Sequence, residues 1–128
     1  MTAKSPHIQV LPDYPVDVLA LSASGCVTHD DYEQVIMPLV DQKIASQGKL
    51  KLLYLLGPEF ESYSAGAAWD DARLGVMHLA DFARIAIVTD KKWIRRGVKM
   101  FAPLIRCPVQ LFDTKDLAAA KAWITANV

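Results

Sequence analysis

The sequence predicts a single α/β domain built on a mixed β-sheet, and three observations carry that prediction. Residues 50–56 (LKLLYLL) and 84–89 (RIAIVT) are nearly continuous apolar runs of strand length, the pattern of strands covered on both faces. Stretches with helical spacing of apolar residues separate the later runs, and right-handed crossovers through them make those strands parallel. Residues 8–11 and 16–26 are β-rich and are joined by Pro12-Asp13-Tyr14-Pro15, which suits a turn and cannot extend a ladder. The N-terminus therefore supplies an antiparallel pair. The predicted order is β-β-α-β-α-β-α-β-α, with helices packed on the sheet.

Within that order each element has a local cause. Thr28-His29-Asp30-Asp31 has capping-box spacing, with Asp in place of the usual Glu or Gln, and opens a helix. Tyr32, Val35, Ile36 and Leu39 follow its period, with Val40 and Ile44 at the margin. Pro38 lies inside it and is expected to kink it, and Gly48 is a natural stop. Strand 50–56 is expected to end at Gly57-Pro58. Residues 109–112 form a shorter strand nearer an edge. A last helix, capped by Asp113 or Thr114, turns Leu117, Ala120 and Ile124 inward, with Trp123 at the margin.

Composition bounds the rest. At 128 residues the chain has the size of one domain and buries a core without disulfides or metal. Residues 1–7 are expected to be a flexible N-terminus and residues 8–128 the domain. Fourteen basic residues balance fourteen acidic ones, so no bulk charge draws the protein to nucleic acid. No apolar run approaches the ~20 residues of a membrane span, and no apolar stretch behind residues 1–5 suggests a secretory signal. Cys26 and Cys107 fit a reducing cytoplasm better than a disulfide framework, as small hydrophobes at strand ends. The expectation is a cytoplasmic protein, with peripheral membrane attachment as a further option.

Residues 63–90 (YSAGAAWDDARLGVMHLADFARIAIVTD) read as a helix feeding the strand at 84–89. Phased from Trp69, the residues Ala65, Ala68, Trp69, Ala72, Val76 and Leu79 share an arc, and four of the six, small Ala65, Ala68 and Ala72 and β-branched Val76, let the helix lie close to what it covers. Leu74 and Met77 fall on the far side, three apart, where a solvated face should be polar. They are either loosely packed surface or a partner contact.

Residues 91–106 (KKWIRRGVKMFAPLIR) hold six basic residues and no acid: Lys91, Lys92, Arg95, Arg96, Lys99 and Arg106. Trp93, Ile94, Val98, Met100, Phe101, Leu104 and Ile105 occupy the other half of the wheel, while Gly97 and Pro103 limit the helix's regularity. A basic amphipathic helix with Trp and Phe suits an anionic membrane surface. The ordinary alternative, apolar side on the sheet and basic side in water, is preferred, because one apolar face cannot lie in the core and in lipid at once. Both hold only if the helix swings out as a lid.

No complete catalytic constellation is legible. The pairs Asp30-Asp31 and Asp70-Asp71 diverge by about 100° on a helix and do not converge on one substrate atom. His7, His29 and His78 lack zinc-ligand spacing. Ser62 and Ser64 lie in no nucleophile elbow, and Gly66 stands in no phosphate loop. The expectation is a non-enzyme with no metal and no cofactor.

The stretch Gly66-Ala67-Ala68-Trp69-Asp70-Asp71, the run Arg84 to Asp90 followed by Trp93-Ile94, and the closing Val109-Gln110-Leu111-Phe112 and Ala120-Lys121-Ala122-Trp123-Ile124 occur in order at family-like spacing. On them the chain, from about Ile8 to Ala126, resembles the SpoIIAA-like family of small bacterial proteins. These are relatives of STAS domains and, more distantly, of CRAL-TRIO lipid-binding domains. The resemblance implies a mixed sheet with helices and no particular reaction. STAS anti-anti-sigma factors carry a phosphorylated serine before a glycine after the third strand. Here Tyr63-Ser64-Ala65-Gly66 puts Ala65 at that position and Ser64 one residue off, so a phosphorylation switch is not carried over.

Two functional expectations follow. The first is a non-enzymatic small-ligand or lipid-binding module that meets an anionic membrane surface through Lys91, Lys92, Arg95, Arg96 and Lys99. Its apolar lining would come from Tyr54, Phe60, Trp69, Trp93 and Phe101, although Tyr54 and Trp69 serve equally as core. The second is a STAS-type signalling or interaction domain that uses Leu74 and Met77 against a protein partner or a second copy. Neither involves nucleic acid.

Overall fold

The computed structural model describes residues 7–64, 66, 81–104 and 107–126, and the side chains of Phe101 and Leu104 lie outside that description. Five strands form one sheet in sequential order: β1 (Ile8–Val10), β2 (Val18–Val27), β3 (Leu50–Tyr63), β4 (Phe82–Thr89) and β5 (Val109–Phe112). β1 and β2 are antiparallel, Ile8 opposite Ala23 and Val10 opposite Leu21. The three pairs from β2 to β5 are parallel. The turn before β2 holds Asp13 at φ 68°, a left-handed conformation that Asp tolerates better than most residues. This is the predicted mixed sheet, with β5 at its edge.

Helices cover both faces. α1 (His29–Asp31), a π turn (Tyr32–Ile36) and α2 (Met37–Gln47) join β2 to β3, α3 (Lys92–Phe101) joins β4 to β5, and α4 (Leu117–Thr125) closes the described chain. Strands laid down in sequential order by right-handed crossovers must place their connecting helices on one face. Tyr32, Val35, Ile36 and Val40, with Ile94 and Val98 of α3, accordingly pack on the Leu19, Leu21, Tyr54, Leu56 and Ile85 side. α4 follows the last strand and takes the opposite face, where Ala120 and Ile124 meet Val18, Ala20, Leu53, Ala86 and Val88.

Two elements depart from expectation for identifiable reasons. β3 does not stop at Gly57-Pro58. Its pairing with β4 ends at Leu56 opposite Thr89, but pairing with β2 resumes at Gly25 opposite Phe60 and runs to Val27 opposite Tyr63. Pro58 sits in a bulge of β3, among the residues between Leu56 and Phe60 that have no partner on β2, so its missing N–H removes no ladder bond that the strand needs. Pro38 is accommodated by the π turn just before it, whose widened loop closes with the Met37 N–H on the Tyr32 carbonyl. A π turn advances less per residue than an α turn, so Val40 is rotated from the margin to full burial while Leu39 is only half-buried.

The capping box is present as read. The Thr28 side chain accepts the Asp31 N–H, and the buried Asp31 carboxylate accepts the Thr28 N–H at 2.8 Å and faces His7 Nδ1 at 2.9 Å.

Both cysteines are free, Cys26 exposed and Cys107 half-buried against the core. Burial pushes the Cys107 thiol up from its ordinary value, which lowers its thiolate fraction. Iodoacetamide is expected to label Cys26 well before Cys107 in the folded protein, with equal labelling after denaturation. Mass spectrometry of the time course checks this.

Candidate functional site

The carboxyl end of the sheet carries two arrangements that the sequence only partly signalled. The first is an aromatic cluster where the β3 extension meets the start of α3. Phe60 is fully buried, and its ring lies 5.0 Å from Tyr63 and 6.1 Å from Trp93. Trp93 meets Tyr63 edge-on at 6.2 Å, and Tyr63 leans on Tyr32 at 6.2 Å. The Tyr32 and Tyr54 hydroxyls stand 3.5 Å apart beneath them. These separations suit favourable tilted and edge-to-face contacts, and the rings occupy the space between one another. Of the predicted lining residues, Phe60 and Trp93 are thus brought together and Tyr54 lies one ring deeper in the core. Trp69 and the Phe101 side chain lie outside the described residues, as do Leu74 and Met77.

Trp93 closes the cluster and is nonetheless 52% exposed. α3 explains how. Ile94 and Val98 point into the core, whereas Trp93 and Met100, the latter 72% exposed, stand on the outer face. At about 100° per residue, Arg96 falls between this apolar pair and the neighbouring Lys92 and Lys99. Lys92, Arg96 and Lys99 are all exposed. The apolar residues of the segment are therefore divided between core and solvent, and the outer face carries an apolar strip beside a basic one.

Arg95 and Lys91 stand apart from that face. Lys91 is half-buried, its N–H donating to the Thr89 hydroxyl at 3.2 Å. Arg95 turns to the strand ends, where one guanidinium nitrogen, Nη1, donates to the Thr89 carbonyl at 2.8 Å and the Phe112 carbonyl at 3.3 Å. The same nitrogen faces Asp113 Oδ1 at 3.1 Å. Arg95 thereby ties the ends of β4 and β5 together.

The second arrangement is a crevice of about 440 Å³ outside those strand ends, lined by Asp90, Lys92, Arg95, Asp113 and Lys115. Asp90 accepts the Thr114 N–H at 3.0 Å and also the Thr114 hydroxyl. The Thr114 hydroxyl, then the Thr114 N–H, hold the Asp90 carboxyl below the usual carboxylate range, with smaller help from Arg95 and Lys115. A carboxyl lowered on folding adds stability above its unfolded pKa and loses it as pH falls through the folded one. Asp90→Asn should therefore remove part of the acid limb of the stability profile below about pH 4. Urea titrations of both proteins across the acid range check this; parallel profiles would contradict it.

Sequence reasoning pointed to the strand end at Thr89-Asp90 but missed Asp113, Thr114 and Lys115 as its crevice partners, and also the role of Tyr63. A signal was present for the crevice: each of the last two strands is followed by Asp-x-Lys, at Asp90-Lys91-Lys92 and at Asp113-Thr114-Lys115. Among the described residues no group of three or more His, Cys, Asp or Glu lies close enough to hold a metal, and no helix is long and apolar enough to cross a membrane.

A five-stranded sheet, one pair antiparallel and the rest parallel, with helices on both faces defines a small mixed α/β domain. The SpoIIAA-like family model matches residues 18–125, and the chain belongs to that family. Its fold is similar to the crystal structure of an uncharacterised protein with a SpoIIAA-like fold from Shewanella loihica. The two share 27% identity and a TM-score of 0.76, over 97% of this chain and 98% of that one. No curated protein matches the sequence.

Proposed function

We propose that the protein is a non-enzymatic binding module that docks on an anionic lipid surface through the outer face of α3. The observation that carries this reading is the division of that helix, with Ile94 and Val98 anchoring it to the sheet while Trp93 and Met100 stand in solvent beside Lys92, Arg96 and Lys99. Docking then needs no lid motion, because Ile94 and Val98 keep the helix on the core while Met100 and the outer half of Trp93 already stand in solvent. Exposed apolar side chains flanked by basic ones combine burial at the headgroup boundary with charge attraction. The aromatic cluster favours a surface over an enclosed lipid pocket, since Phe60, Tyr63 and Trp93 fill one another's space.

Co-sedimentation with phosphatidylcholine vesicles, with and without phosphatidylserine, tests the reading. Binding should require phosphatidylserine and weaken as salt is raised. Equal pelleting with neutral and anionic vesicles, or none with either, would sink it.

A second reading, a STAS-type interaction domain, is favoured by the family and its fold neighbour. Its contact would be Leu74 and Met77, and Leu74→Asp separates the two readings. Loss of a protein partner with vesicle binding intact would favour the second.

A further inference from the structure

The connections that leave β4 and β5 go to opposite faces of the sheet. α3 packs through Ile94 and Val98 on one side, α4 through Ala120 and Ile124 on the other. Neighbouring parallel strands whose connections diverge in this way leave a crevice outside their carboxyl ends, the place where open α/β sheets bind ligands. Here that crevice is shallow and open to solvent, with a volume of about 440 Å³ and a wholly charged lining.

Its charges are unequally committed. The Asp90 carboxylate is held by Thr114 and the Asp113 carboxylate by Arg95. Both acids therefore brace the walls. Arg95 spends Nη1 on the two strand-end carbonyls and Asp113, and its other guanidinium donors have no partner among the described residues. Lys92, at the start of α3, and Lys115, in the short 3-10 turn before α4, face the crevice from its two walls, neither with an ion-pair partner among the described residues. Three cations against two braced carboxylates leave a net positive floor with donors on three sides.

We propose that this crevice binds a phosphate-bearing small ligand, with Lys92 and Lys115 gripping the phosphate oxygens from opposite walls and Arg95 donating from the floor. A tetrahedral, multiply charged anion can accept from all three at once, which a monodentate anion cannot; guanidinium and ammonium donors suit it as fork and point charge respectively. The same chemistry can reach the crevice as a soluble phosphomonoester or as the headgroup of phosphatidic acid. The site shares Lys92 with the basic strip on the outer face of α3, but uses neither Arg96 nor Lys99 nor the apolar strip of that face.

Amide chemical shifts of the labelled protein, followed during titration with inorganic phosphate, test the assignment. Saturable shifts are expected at Lys92, Arg95, Thr114 and Lys115. Lys92→Gln and Lys115→Gln should each weaken binding roughly fivefold, the effect of one exposed charge, and the double variant more. Lys49→Gln, at the other end of the sheet, should bind as wild type does. Absence of saturable shifts at these amides, or equal weakening by Lys49→Gln, would overturn the proposal. Two further arms assign the source. If Lys115→Gln also lowers binding to phosphatidic acid vesicles, the headgroup is the ligand. If it lowers phosphate binding and leaves vesicle binding unchanged, the ligand is soluble.

Discussion

Replacing Lys92, Arg96 and Lys99 together by Gln is expected to lower affinity for phosphatidylserine-containing vesicles by roughly a hundredfold at low salt. Each basic residue near an anionic leaflet contributes about 1 kcal/mol, so three amount to about 3 kcal/mol, or two powers of ten. All three are exposed on α3 and form no ion pair among the described residues, so neutralising them removes attraction without leaving a buried acid unmatched. The folded protein should keep its unfolding midpoint, which separates lost binding from lost structure. Wild-type affinity should fall with salt toward that of the variant, because screening acts on the same charges. A variant that binds as well as wild type at low salt would show that these residues do not carry the docking.

Phe60→Ala should destabilise the protein by about 3–5 kcal/mol, the range for truncating a fully buried aromatic. Phe60 has no exposed surface, and the rings of Tyr63 and Trp93 lean on it. It also lies on the part of β3 that has lost β4 as a neighbour and keeps only β2, opposite Gly25. The cavity therefore opens beneath a strand with one partner and beneath the first turn of α3. Phe60→Leu, which keeps most of the apolar volume, should cost less. Urea denaturation followed by circular dichroism measures both; a loss below about 1 kcal/mol for Phe60→Ala would mean that the cluster collapses onto the gap.

Much of the sheet was legible because its signals are local. The apolar runs at residues 50–56 and 84–89 state that both faces are covered, and Pro12 to Pro15 state a turn. The capping box at Thr28 was equally plain, since both bonds lie within four residues. What was not legible depends on partners distant in sequence. Gly57-Pro58 looks like a stop, and only the slipped register on β2 lets the strand continue through it. The division of α3 was hidden because a helical wheel groups Trp93 and Met100 with Ile94 and Val98, whereas only the latter pair packs into the core and Trp93 merely caps the β3 extension with half its surface in solvent. Arg95 could not be told from its basic neighbours until the ends of β4 and β5 were side by side. The crevice needs one more fact, that α3 and α4 lie on opposite faces, which no single segment encodes.

Docking through the outer face of α3 is tested most directly by where Trp93 goes. In a Trp69→Phe, Trp123→Phe variant Trp93 is the sole tryptophan, and its fluorescence can be followed with vesicles whose lipids carry bromine on the acyl chains. The account predicts a blue shift and quenching with phosphatidylserine present at low salt, and neither with phosphatidylcholine alone. Trp93 emission that stays unshifted and unquenched while the protein pellets with the vesicles would contradict it, since some other face would then be making the contact.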